Sequence, residues 1–165
     1  MSSLTLGLIK ERKTTTDNRV ALTPLQCREL RQQHPEVTVV AEPSDTRCFP
    51  DEAYRQQAIP VSSDLTGADW LIGVKEVPPQ WLIPDMTYAF FSHTIKKQPH
   101  NRELLRTILD KRIRMIDLEL LTDEQGNRLI GFGRYAGIVG AHYGLQMYGQ
   151  RTGHFHMKPA HRLAN

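Results

Sequence analysis

Lys75 directly follows the apolar run Trp70–Val74, His93 lies two residues beyond Tyr88–Phe91, and Glu119 closely follows Ile113–Ile116. Each apolar run reads as a buried strand. In a parallel α/β sheet the carboxyl ends of the strands share one edge, and ligands bind along it. An ammonium, an imidazole and a carboxylate would therefore converge there. Arg19, at the mouth of the first helix, can join them. The set has a chemical logic. A guanidinium grips a carboxylate with two parallel bonds. A lysine crowded by other cations and partly desolvated becomes a proton shuttle. Histidine exchanges protons near neutrality without assistance, and Glu119 would tune either partner. Together these groups suit a small substrate carrying carboxylate and amine or keto functions.

The elements that must carry these residues alternate along the chain. Leu4–Ile9 reads as a strand and Lys10–Asn18 as a charged loop. Thr23-Pro24 opens a helix to about His34, with threonine as cap and proline where a missing donor costs nothing. Val37–Val40 is a β-branched strand, Pro50-Asp51-Glu52 starts a short helix, and Ile59-Pro60-Val61 is extended. Gln98–Lys111 is a helix with Leu104, Leu105, Ile108 and Leu109 in one stripe. Leu129–Phe132 is expected to pair back across the Gln-Gly-Asn turn of Asp123–Asn127. Tyr135–Tyr148 reads as a helix, and its Gly137, Gly140 and Gly144 predict close packing against another element. Strands alternating with helices specify an α/β fold with a mainly parallel sheet.

At 165 residues with 39% hydrophobic and 24% charged residues, the chain is long enough for one domain with a genuine core. No apolar run approaches the roughly 18 residues of a membrane span, and no signal peptide is recognisable, so a cytoplasmic protein is expected. Cys27 and Cys48 form no framework and read as plain thiols. The net charge of +3 is too mild to imply nucleic acid. Its distribution says more. No acid follows Glu124, whereas Arg128, Arg134, Arg151, Lys158, Arg162 and four of the seven histidines do, which suits an anionic partner. His154, His156 and His161 have no cysteine or carboxylate beside them, so no metal site is read.

Gly131-Phe-Gly133-Arg-Tyr-Ala136 fits a dinucleotide fingerprint. Three features argue against that use. No second strand follows, the acid expected about 20 residues on is missing, and a bulky Arg-Tyr pair sits where pyrophosphate should approach. No cofactor-binding residue is assigned.

Five separated motifs occur in an order that resembles a known family. Ile9-Lys-Glu-Arg with Asn18-Arg19-Val-Ala-Leu-Thr-Pro24 is similar to the N-terminal segment of the alanine dehydrogenase/pyridine nucleotide transhydrogenase family. Ile72-Gly-Val-Lys75-Glu76 resembles its lysine-bearing strand end. Tyr88–Lys96, Ile113–Glu119 and Gly131–Gly137 look most like the saccharopine-forming lysine–ketoglutarate reductase branch. The resemblance implies a Rossmann-like (flavodoxin-like), three-layer substrate domain. It implies Lys75 and His93 as an acid–base pair, with Arg19 and Arg128 holding substrate carboxylates and Glu76 and Glu119 balancing charge. It also implies NAD(P)H on a separate dinucleotide-binding domain, with residues 135–165 as interdomain helix and basic tail. On this view residues 1–165 are one substrate domain, the dinucleotide domain is absent, and turnover needs a cofactor domain supplied elsewhere, a separate dinucleotide-binding chain being one candidate. Lysine and 2-oxoglutarate are the expected small-molecule partners, and a homo-oligomer is expected without nucleic acid or membrane. A non-catalytic sensor of amino acids or dicarboxylates is the alternative.

Overall fold

A computed structural model describes residues 3–13 and 17–159. Five strands form one sheet in the order β2-β1-β3-β4-β5. They are β1 (Leu4–Leu8), β2 (Val37–Ala41), β3 (Trp70–Lys75), β4 (Thr87–Phe91) and β5 (Arg114–Asp117). Every pairing is parallel, so the sheet is wholly rather than mainly parallel. This is the flavodoxin-like strand order, whose topological switch point lies between β1 and β3. Among the described residues the helices are α1 (Pro24–Gln33), α2 (Asp51–Gln56), α3 (Arg102–Asp110) and α4 (Gly133–Thr152).

Local chemistry sets the boundaries. The Thr23 hydroxyl accepts the Gln26 N–H, and the Gln26 side chain accepts the Thr23 N–H, so the reciprocal cap starts α1 where the sequence placed it. Asp51 and Glu52 occupy the first turn of α2, at the positive end of its dipole. Ile59–Val61 contributes a single parallel bridge, Ala41 to Val61.

The sheet divides the core in two. Leu8, Val39 and Ala41 pack with Cys27 of α1 and Tyr54 of α2. Leu71, Tyr88 and Phe90 pack with Leu104 and Ile108 of α3. Each such buried aliphatic side chain contributes about 1.5–3 kcal/mol. Only half of the expected α3 stripe is used: Leu104 and Ile108 are buried, whereas Leu105 and Leu109 face solvent. Four apolar residues at that spacing cover a wider arc than one sheet face can receive.

The chain forms two compact units, residues 1–121 and 122–165, a division that falls ahead of the 135–165 segment. In the second unit, Asp123 ties its own turn by accepting the Gln125 and Asn127 N–H groups. Leu129–Phe132 does not form the expected strand. Pairing is reduced to one antiparallel bridge, Thr122 to Arg128, because Asp123 closes the loop too tightly for a ladder to propagate. The expected packing at Gly137, Gly140 and Gly144 is also corrected: among the described residues, a methyl group at any of them would meet nothing within 4 Å. The glycine that permits close approach is Gly149, where an added Cβ would lie 2.5 Å from the Phe155 carbonyl oxygen. The segment after α4 returns along it, with the Gln146 amide donating to the Met157 carbonyl and His142 bonded to that of Lys158.

Candidate active site

The carboxyl edge of the sheet carries two linked clusters, both in the first unit. The first lies at the switch between β1 and β3. Just past β1, the Glu11 carboxylate accepts the main-chain N–H groups of Val74 at 2.7 Å and Lys75 at 2.8 Å. It thereby fixes the end of β3, where the register with β4 shifts between Ile72 and Lys75. Burial pushes the Glu11 pKa up, against those two N–H bonds; Asp17 pushes the same way and Arg19 opposes it. Asp17 in turn holds Arg19 through a two-pronged pair, with Nε to Oδ1 at 2.8 Å. The Arg19 bond holds the Asp17 carboxyl below its ordinary range, and the Lys75 ammonium adds to that effect. Arg19 and the Lys75 ammonium thus both bear on the Asp17 carboxylate, while Glu11 holds the Lys75 backbone.

The second cluster surrounds His93. Asp117, ending β5, accepts the Ser92 hydroxyl at 2.5 Å and the Glu119 N–H at 2.9 Å. This stitches the exits of β4 and β5 together. His93 Nδ1 then lies 2.8 Å from Glu119 Oε2, and Lys96 Nζ lies 3.0 Å from Glu119 Oε1. Those two partners, His93 first, lower the Glu119 pKa. The imidazole stacks on Phe91, with ring centroids 6.4 Å apart, and Phe91 is the register partner of Lys75 across β3–β4. Lys75 and His93 therefore occupy adjacent strand ends. The backbone at His93 is left-handed (φ 56°), and the Asn101 amide braces its carbonyl.

Glu76 is buried and ion-paired with Lys13. It is the sequence neighbour of Lys75 and has its own cation partner. Arg128 belongs to the second unit, at the Thr122 bridge, with its guanidinium beside Gly131.

Three contributors escaped the sequence reading: Glu11, Asp17 and Lys13, all inside the segment read as a charged loop. Glu11 and Lys13 meet Lys75 and Glu76 more than 60 residues away, Asp17 pairs with Arg19 two residues on, and no periodicity marks any of these pairs. The one available signal was a run of charges directly after a strand.

The fingerprint-like glycines do not fit a dinucleotide. Gly133 opens α4 with φ +41°, but among the described residues no strand runs directly into it, the last one ending at Asp117, so the strand–turn–helix cradle is not built.

The fold is that of a Rossmann-like α/β domain. The chain belongs to the family described as alanine dehydrogenase/PNT, N-terminal domain, whose profile matches residues 7–139. Alpha-aminoadipic semialdehyde synthase of Arabidopsis thaliana is 35% identical over 150 residues, covering 88% of this chain and 14% of that protein. The mitochondrial synthase of Mus musculus is 37% identical over 134 residues, covering 77% and 14%. Saccharopine dehydrogenase [NAD(+), L-lysine-forming] of Candida glabrata is 32% identical over 149 residues, covering 87% and 39%. The chain thus spans well under half the length of these relatives. Among solved structures, an L-alanine dehydrogenase matches with TM-score 0.60 at 21% identity, covering 75% of this chain and 35% of that one. A transhydrogenase from Sinorhizobium meliloti matches with TM-score 0.58 at 15% identity, covering 87% and 42%, so both support the fold.

Proposed function

We propose that the chain is the substrate domain of a saccharopine-type amino-acid dehydrogenase, acting on lysine and 2-oxoglutarate. The cofactor domain for NAD(P)H is supplied from outside these residues. The observation that carries the reading is the His93–Glu119 pair at 2.8 Å, set on the strand end beside Lys75.

Condensation of an amine with a keto acid is a proton-transfer problem. The ammonium must lose a proton before its nitrogen attacks the keto carbon. The carbinolamine hydroxyl must then gain one to leave as water. A site doing both needs a base and an acid within reach of the same carbon. In this reading Glu119 fixes the His93 ring through Nδ1, so that Nε2 exchanges the proton. Lys75 supplies the second group and Arg19 holds a substrate carboxylate. Glu76 balances charge.

The test is an enzyme reconstituted with a dinucleotide-binding domain. Lys75→Met and His93→Asn are each expected to abolish turnover while leaving the circular dichroism spectrum unchanged. Full activity in both variants rejects the assignment.

A further inference from the structure

On the α3 side of the sheet, beside the β1 exit, lies a cavity of about 230 Å³ that the chemistry above does not use. One wall is apolar, with Leu65, Leu71 and Ile83 in it, Ser63, Asp64 and Thr66 form a polar side, and Trp81 also lines it, 57% exposed. Two hydrogen-bond donors meet in it. Arg12 is largely buried, and its guanidinium carbon sits 5.1 Å from the Trp81 ring centroid. One terminal nitrogen is paired with Glu42 and the other donates to the Lys10 carbonyl at 3.1 Å. Its Nε is buried and, among the described residues, has no partner. The Tyr88 hydroxyl, on a residue 1% exposed, accepts the Ile83 N–H at 3.0 Å. Among the described residues no acceptor receives its own proton.

Both groups line the same cavity. Burial raises the Tyr88 pKa, and Arg12 and Glu42 both bear on it. The hydroxyl is therefore a protonated donor. Glu42 is no acceptor for the pair, because one of its oxygens takes Arg12 and the other the Lys10 N–H at 2.9 Å. A buried donor left unpaired costs about 1–3 kcal/mol, so two in one cavity mark a place made for an acceptor.

We propose that this cavity is a second ligand site, taking a small uncharged carbonyl compound, an amide or ketone, on an aromatic or branched aliphatic body. One carbonyl oxygen has two lone pairs, matching the two donors. The Arg12 charge is already balanced by Glu42, so a carboxylate would leave the cavity with an uncompensated negative charge. Water alone would meet the donors, but it would leave the apolar wall and Trp81 without a partner. The site stands independently of the Lys75 edge.

The experiment titrates the full chain with phenylacetamide and with phenylacetate, following tryptophan fluorescence and melting temperature. Saturable quenching with a rise in melting temperature is expected for phenylacetamide. Trp81→Phe should remove the optical signal and keep the thermal shift. Tyr88→Phe should weaken binding roughly fivefold. Leu65→Trp, which fills the cavity, should abolish it. Absence of a saturable response, unchanged affinity in Tyr88→Phe, or tighter binding of phenylacetate would each overturn the proposal.

Discussion

The Glu11 carboxylate holds the main-chain N–H of Lys75 at 2.8 Å across 64 residues of sequence. The lysine's position is therefore set by a residue on another strand end, not by β3 alone.

Glu11→Ala, which deletes both bonds to a buried carboxylate, is expected to lower stability by about 2 kcal/mol in urea unfolding. The pH dependence is diagnostic. The folded-state pKa is raised above 4.5, chiefly by burial. The stability linked to protonated Glu11 is thus complete below pH 4.5 and is lost as pH rises through the folded value. Glu11→Gln has no proton to lose, so its stability relative to the parent should improve as pH rises from 4.5 toward neutrality. A pH-independent difference contradicts this.

Glu119 has the opposite sign. His93 and then Lys96 lower its pKa from 4.5. Its contribution is complete above pH 4.5 and is lost as pH falls through the lower folded value. Glu119→Gln should therefore cost about 1–2 kcal/mol at pH 7 and progressively less in acid. Equal costs at pH 7 and at pH 3 would remove the carboxylate from the network.

The two thiols should separate cleanly. Cys27 is fully buried against β2 and Tyr54, and burial pushes its pKa up to about 11. Cys48 is exposed. A thiol reagent at pH 8 should modify one cysteine per native chain and two in denaturant. Two rapid equivalents under native conditions would show that the α1 face of the core opens.

Glycines in α4 should behave in two ways. Gly140→Ala meets open space and should stabilise the helix by about 1 kcal/mol. Gly149→Ala would press against the Phe155 carbonyl and ring, so it should destabilise the return segment by about 1–3 kcal/mol. Thermal melts of both variants decide; a stabilised Gly149→Ala would mean that Phe155 does not pack there.

Most of the layered fold was legible because each strand is a short apolar run and α1 carries its own start signal. The strand-end positions of Lys75, His93 and Glu119 followed from that punctuation. What remained hidden depends on distant partners. Glu11, Asp17 and Lys13 look like solvated loop charges until β3 lies beside them. The glycines of α4 misled for a related reason: spacing shows where a backbone could approach closely, but only a partner such as Phe155 shows where it does. The α3 stripe was overread because periodicity reports a face and not how much of it the sheet covers.

The left-handed backbone at His93 bears on how this position should be mutated. Histidine and asparagine are among the few residue types that enter that conformation readily, and alanine is not. An alanine scan would therefore remove the imidazole and warp the turn carrying Lys96 in one step, merging two defects in a single number. Asparagine separates them, and glycine at 93 would report the cost of the turn with the ring absent.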